Sequence, residues 1–414
     1  MMTISDYIKW YTEAHSSAVQ ANGQFWEASK IPLKSFPVRL RNSVLFVLAI
    51  TCGAFFLAGA IDAADKNPYR IGFVGGLTGR NSDLGIQGRN GVMQAVEEIN
   101  QQGGINGKLL QLITKDDRQD PQTALKVDQE LIEEGVIAII GHMTTAMSET
   151  VLPLINARKI LMISPTTSAN KLTGIDDYFL RVVNPSILLT DLESNYAFKD
   201  VNLRRVAEIY DLSNRTYVEE FAVNFKSEFE RLGGEIVSTD TFTAGPDVSF
   251  KSLAEVVLRT KPDGLLIVAS AVDTAMICQH VRMTGSKIPI LMSGWAQTPD
   301  LLRHGGPAVE GVIGTMYRDL DSIATPFAAF KEKFQVRFGM DGPTFSALFG
   351  YEAVMVLKDA LFRNPDPRQL KETILKQKTF QGLDGAFEID SFGDAKRNAY
   401  IVTVSNNRFK VLGP

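Results

Sequence analysis

Two short apolar runs, Val136–Ile140 and Ile160–Ile163, do most to limit what this chain can become. Both are rich in β-branched residues and continuous rather than alternating, the pattern of strands buried on both faces of a parallel sheet. Each ends in small hydroxyl residues: Gly141-His142-Met143-Thr144-Thr145 after the first, Ser164-Pro165-Thr166-Thr167-Ser168 after the second. Between them, Met147–Ala157 carries Met147, Val151, Leu154 and Ile155 at helical spacing, long enough for a crossover helix. Parallel strands joined in this way end at one edge of the sheet, where open α/β sheets bind ligands. Hydroxyls and free backbone N–H groups from two adjacent strand ends then face one point, a setting that suits a small anion, most simply a carboxylate. Taken singly, Thr144, Thr145 and Ser168 are also explained as ordinary helix N-caps.

The same alternation runs through the rest of the chain. Strands are expected at Tyr69–Val74, Leu109–Lys115, Tyr178–Val182, Arg205–Tyr210, Glu235–Phe242, Gly264–Val268 and Ile290–Ser293, with helices between them, one of them at Gly88–Gln101. Short β-α connections imply parallel sheets covered on both faces. The expected architecture is α/β: two doubly wound parallel-sheet lobes joined by a three-strand hinge. Residues 68–185 and 317–384 form the first lobe, and 186–316 and 385–414 the second. The crossings are placed at Asn184-Pro185, Val312–Met316 and Gly382–Phe387, the last leading to a terminal hairpin of Ala399–Ser405 and Arg408–Leu412.

With 414 residues, 45% of them hydrophobic and 22% charged, the chain is long enough for such a two-lobed body. A net charge of −4 without basic clustering argues against a nucleic-acid partner. The first 64 residues read differently from the rest. Residues 1–38 take no assignment, but Arg39 and Arg41 precede the apolar centre Val44–Leu57 and then Ala58-Gly59-Ala60. That order is a secretory signal over residues 39–60, cleaved near Ala60, and it implies export of the mature protein. A membrane anchor over Val44–Ile61 is the competing reading. Of the two cysteines, Cys52 leaves with the signal and Cys278 remains, so no internal disulfide is expected.

Catalytic motifs are missing. Gly75-Gly76-Leu77-Thr78-Gly79 is not G-x-G-x-x-G, Gly103–Lys108 is too short for a P-loop, and no G-x-S-x-G, H-E-x-x-H or C-x-x-C occurs. His142 reads as a packed strand-end residue rather than a base. Asp116-Asp117-Arg118-Gln119-Asp120 reads as a helix-capping turn rather than a metal cluster. No enzyme activity, cofactor or metal is expected.

Ile71-Gly72-Phe73, Leu77-Thr78-Gly79, Gly85, Gly88, Glu98-Ile99-Asn100 and Gly103-Gly104-Ile105-Asn106-Gly107 follow one another in an order that resembles the type I periplasmic binding proteins. Asp116-Asp117, Asp120-Pro121, Gly141-His142, Ser164-Pro165 and Phe179-Leu180-Arg181 extend the likeness to the leucine/isoleucine/valine-binding group of ABC transporters. The resemblance implies a monomeric extracytoplasmic receptor that closes on a small carboxylate and delivers it to a membrane permease. It further implies that Thr145, Thr166 and Ser168 hold the carboxylate and that Leu84 lines the pocket. Tyr217, Ala271, Val272 and Trp295 would meet the ligand from the second lobe. The positions matching the acids that neutralise a ligand's ammonium are Trp295 and Ser186, and those matching the family's disulfide are Gln119 and Thr144. Two ligand classes therefore stay open: a hydrophobic amino acid paired with another acid, Asp273 first, or an aromatic or branched acid without an amine. A sensor built on the same body and serving a signalling partner is a third reading.

Overall fold

The computed structural model describes residues 67–79, 82–317, 325–339 and 342–413; the leader and export signal expected over residues 1–64 lie outside the described residues. Strand β1 (Tyr69–Gly75) pairs in parallel with β2 (Leu110–Asp116) and β3 (Ala138–Ile140). With β4 (Leu161–Ser164) and β5 (Phe179–Arg181) they form a parallel sheet of order β2-β1-β3-β4-β5. Helices α1 (Asp83–Gln101), α2 (Pro121–Glu133) and α3 (Thr145–Arg158) make the crossovers. Alternate strand residues bury on opposite faces, as the two-residue period requires. Val74, Ile139 and Met162 pack with Leu131, Val151 and Ile155 of α2 and α3, while Ile71, Phe73, Ile140 and Ile163 pack with Val92, Ala95 and Ile99 of α1.

The second sheet begins after α4 (Ile187–Lys199). It contains β6 (Arg205–Asp211), β7 (Glu235–Phe242), β8 (Gly264–Val268), β9 (Ile290–Met292) and β10 (Ile313–Met316). Helices α5 (Arg215–Arg231), α6 (Phe250–Arg259), α7 (Ala271–Met283) and α8 (Pro299–Gly305) connect them. The chain then returns to the first sheet through α9 (Thr325–Phe338), α10 (Phe345–Arg363) and α11 (Leu370–Gln377). A small antiparallel sheet follows, of β11 (Thr379–Gln381), β12 (Ala386–Ile389) and β13 (Ala395–Lys396). The antiparallel hairpin β14 (Tyr400–Ser405) and β15 (Arg408–Gly413) closes the second sheet, whose order is β15-β14-β10-β9-β8-β6-β7.

Two expectations change. Gly382–Phe387 holds the turn between β11 and β12, and the chain rejoins the second sheet only at Tyr400, so the third passage lies after Lys396. Helix α1 starts five residues before the expected Gly88, at Asp83, because its glycines serve packing rather than termination. A Cβ on Gly85 would sit 2.1 Å from the Gly76 carbonyl oxygen, and one on Gly91 would sit 1.8 Å from that of Ala347 on α10. On α10, a Cβ at Gly350 would lie 2.5 Å from the Gly88 carbonyl oxygen, so the two helices meet backbone to backbone.

The first and third passages are tied to each other. Arg397 N–H donates to Asn184 Oδ1 at 2.6 Å, and Asn184 Nδ2 donates to the Arg397 carbonyl at 2.7 Å. Arg397 Nε donates to the Val182 carbonyl at 2.6 Å, its guanidinium pairs with the buried Glu352, and it lies 3.7 Å over the Phe387 ring. At the second passage, the Tyr317 hydroxyl donates to the Pro185 carbonyl at 3.0 Å.

Gly91→Val is expected to lower stability by about 1–3 kcal/mol or more, because the α1–α10 contact has no room for a side chain. Urea denaturation measures this, and an unchanged midpoint would contradict the close approach.

Candidate functional site

A cleft opens between the carboxyl ends of the two sheets. Its first wall is Leu84 at the start of α1, Met143-Thr144-Thr145 after β3, and Thr166 and Ser168 after β4. Its second wall is Leu189, Asn214, Tyr217, Gly294, Trp295, Gln297 and Thr315. Val183, Met316 and Tyr317 from the passages complete it, with Phe345 and Phe349 one turn apart on α10. None of these residues carries a charge.

The first wall is held from behind. His142 is fully buried, with Nδ1 2.7 Å from Asp117 Oδ2 and Nε2 3.2 Å from both Asp128 oxygens. Burial alone would lower its pKa, but the two carboxylates outweigh burial and raise it to about 10, so the ring is an imidazolium at neutral pH. The His142 carbonyl accepts Ser164 Oγ at 2.7 Å, and the Met143 carbonyl accepts Thr166 Oγ1 at 2.6 Å. These bonds stitch the loop after β3 to the loop after β4. Asp116 steadies the glycine-rich turn beside them, accepting from Leu77 N–H at 2.8 Å and Thr78 Oγ1 at 2.6 Å. Asp120 caps α2, accepting from Thr123 N–H at 2.8 Å, so the acidic run does act as a capping turn.

On this wall Thr145 and Ser168 are buried, and no described residue hydrogen-bonds either hydroxyl. Thr166 lines the cleft too, but its proton is committed to Met143, so it positions the wall instead of donating to a ligand. On the second wall, Trp295 sits in the short turn after β9. It meets Tyr217 edge-on, ring centroids 6.3 Å apart at 88°. Burial pushes the Tyr217 hydroxyl above its ordinary pKa; it faces Ser293 and the Trp295 backbone.

The walls are bridged near this point. Ala146 N–H in the first turn of α3 donates to Asn214 Oδ1 at 3.1 Å, and Thr216 Oγ1 donates to Glu149 Oε2 at 2.5 Å. Asn170 N–H donates to Glu220 Oε2 at 2.5 Å, and Thr298 Oγ1 bonds Asp83. All four cross from one lobe to the other.

Of the residues expected at the site, the structure gathers Leu84, Thr145, Thr166, Ser168, Tyr217 and Trp295 around one space. Val272 is not among them. Helix α7 begins at Ala271 under the cap of Ser270, which puts Val272 in the first turn, half-buried and off the cleft wall. Asp273 turns back into the same cap, accepting Ser270 Oγ at 2.8 Å. Gln297, Thr315, Asn214, Phe345 and Phe349 were not foreseen. Thr315 and Met316 end a strand that runs parallel to β9, so the strand-end rule that found the first wall also points to Thr315 and to none of the others.

A sequence model of the periplasmic binding protein family matches residues 68–408. The chain belongs to that family. It is a type I periplasmic binding protein of the leucine/isoleucine/valine-binding group. It is 25% identical over 362 residues to the Leu/Ile/Val-binding protein of Citrobacter freundii, an alignment covering 83% of this chain and 94% of that one. The crystal structure of the leucine binding protein LivK from Thermotoga maritima is similar, with TM-score 0.76 and 26% identity over 83% of this chain and 97% of that one. An ABC transporter solute binding protein from R. palustris, solved with benzoate, shares the fold with TM-score 0.76 and 19% identity, covering 84% and 96% of the two chains. Among the described residues of this periplasmic binding protein, no helix is long and apolar enough to cross a membrane.

His142 gives the fold a pH dependence of known sign. Its folded pKa lies above the unfolded value of 6.5, so its stabilisation is complete below pH 6.5 and is lost as pH rises through about 10. Urea denaturation is expected to show the stability gap between wild type and His142→Gln narrowing across that window. A constant gap would mean an uncharged ring.

Proposed function

We propose that this periplasmic binding protein is the extracytoplasmic receptor of an ABC importer, closing two lobes on a small hydrophobic carboxylate that lacks an amino group. One observation carries the ligand class: among the described residues none that lines the cleft is charged, while the buried Thr145 and Ser168 hydroxyls face it without partners there. An amino acid bound here would bury its ammonium without a carboxylate beside it, at a large cost in free energy. The positions where an acid would stand are Ser186 and Trp295, and Asp273 is engaged in the α7 cap. A carboxylate, by contrast, finds two hydroxyl donors and the N-terminus of α3, whose N–H groups favour an anion. The apolar remainder of the ligand packs on Leu84, Trp295, Phe345 and Phe349, as an aromatic or branched group does in an aromatic-lined pocket.

The mechanism is binding without chemical change. The ligand first meets the wall of Thr145 and Ser168. Its contacts with Tyr217 and Trp295, and the bridges from Asn214, Thr216 and Glu220, exist only when the lobes meet, so binding shifts the population toward the closed form. The lobes rotate about the three chain passages, and the closed surface is what the permease recognises. The receptor acts as a monomer, exported to the periplasm by the signal over residues 39–60 and cleaved near Ala60.

Thermal unfolding with added ligand tests the ligand class, because a solute that binds only the folded protein raises its melting temperature. Benzoate, 3-phenylpropanoate or 4-methylpentanoate is expected to raise it, and leucine, isoleucine, valine and phenylalanine are not. Stabilisation by the amino acids alone would overturn the amine-free reading. Thr145→Ala and Ser168→Ala should each weaken binding of the stabilising acid by about 1–3 kcal/mol, measured by calorimetry. Wild-type affinity in both would remove the carboxylate from this wall.

A further inference from the structure

The wall opposite Thr145 and Ser168 carries buried polar atoms that a carboxylate on the first wall does not use. Gln297 and Thr315 both line the cleft and are almost wholly buried. Gln297 Nε2 donates to the Thr315 carbonyl at 3.0 Å, which fixes the amide's orientation, since the flipped amide would set two oxygens against each other. Its Oε1 is then an acceptor, buried and without a hydrogen-bond partner among the described residues. Thr315 Oγ1 donates to Glu193 Oε2 at 3.2 Å, so the threonine proton is committed and its oxygen also remains an acceptor.

Glu193 completes the set. It is fully buried on α4, one helical turn beyond Leu189 of the cleft wall, and its Oε1 finds no hydrogen-bond partner among the described residues. Burial holds this carboxyl well above its ordinary pKa, against the smaller effects of Thr315 and the Met292 backbone. Glu193 touches Thr315 rather than the cleft, and it acts as a positioning residue for that hydroxyl. Buried polar atoms are almost always paired in folded proteins, so the open Gln297 acceptor on a ligand-facing wall calls for a donor from the ligand.

We propose that Gln297 Oε1 and Thr315 Oγ1 form a second subsite that receives a hydroxyl group at the end of the ligand away from its carboxylate, so that the receptor selects hydroxylated hydrophobic acids. An α-amino group does not serve in its place, because it is attached next to the carboxylate and therefore stays near the first wall. This subsite rests on the carboxylate reading for its orientation. Its residues belong to the second lobe, so the hydroxyl is engaged only on closure, when the water around it has been displaced.

Calorimetry on the purified protein with three matched pairs tests it: benzoate with 4-hydroxybenzoate, 3-phenylpropanoate with 3-(4-hydroxyphenyl)propanoate, and phenylalanine with tyrosine. In whichever pair binds, the hydroxylated member is expected to bind at least about tenfold tighter, because a site built to pair a hydroxyl discriminates strongly against the analogue lacking it. Gln297→Met and Thr315→Val should each reduce that preference severalfold, the ratio within a pair being the readout, and a cooperative thermal transition of each free variant shows that it is folded. Equal affinities within the binding pair, or a preference untouched by both variants, overturns the subsite and leaves the carboxylate reading standing. Binding of phenylalanine and tyrosine alone, with a tyrosine preference lost in Gln297→Met, overturns the amine-free reading and supports the subsite. Binding of none of the six overturns the subsite and leaves the carboxylate reading to 4-methylpentanoate.

Discussion

The binding wall depends on one buried charge, the imidazolium of His142 between Asp117 and Asp128. The three residues come from the loop after β2, from α2 and from the end of β3, so a single ring ties three elements whose order in the sheet is set by apolar packing alone. Apolar contacts tolerate small shifts; an ion held between two carboxylates, with both ring nitrogens satisfied, does not. His142 also presents the carbonyl that anchors Ser164, and its neighbour Met143 presents the one that anchors Thr166. The charge is thereby placed behind the cleft rather than in it. The protein uses ion pairing to build the wall, and the described residues of the wall itself are neutral.

A neutral cleft changes how specificity arises. Charged pockets gain affinity from Coulomb attraction that depends weakly on geometry. The proposed site relies on hydroxyls, an amide and aromatic edges, whose energies depend on direction and on the exclusion of water. The bridges from Asn214 to Ala146 and from Glu220 to Asn170 matter in that setting because they close the space in which those bonds operate.

Much of this was legible in the residues. The continuous runs before Gly141 and Ser164 marked two buried parallel strands, and their hydroxyl-rich ends marked the first wall. Glu193 and His142 were harder. His142 stands alone in sequence, and its partners lie 25 and 14 residues earlier on other elements, a relation that no local pattern encodes. Val272 went astray for a local reason: Ser270 caps a helix that begins at Ala271, so Val272 lies in its first turn rather than at a strand end. Phe345 and Phe349 reach the cleft only because α10 crosses α1 at glycines more than two hundred positions away in sequence, and glycine-to-glycine approach leaves little hydrophobic signature. The crossing at Gly382–Phe387 was misplaced because three short antiparallel strands mimic one longer passage.

The reciprocal pair of bonds between Asn184 and Arg397 has a mechanical meaning. Two separate strands of backbone tied at one level behave as a single axle, and Arg397, seated on Phe387 and paired with Glu352, bolts that axle to the first lobe. A body with such an axle has essentially one way to move. In the proposed receptor, occupancy of the cleft is then encoded as an angle, a quantity that the proposed membrane partner gauges from outside without ever touching the solute.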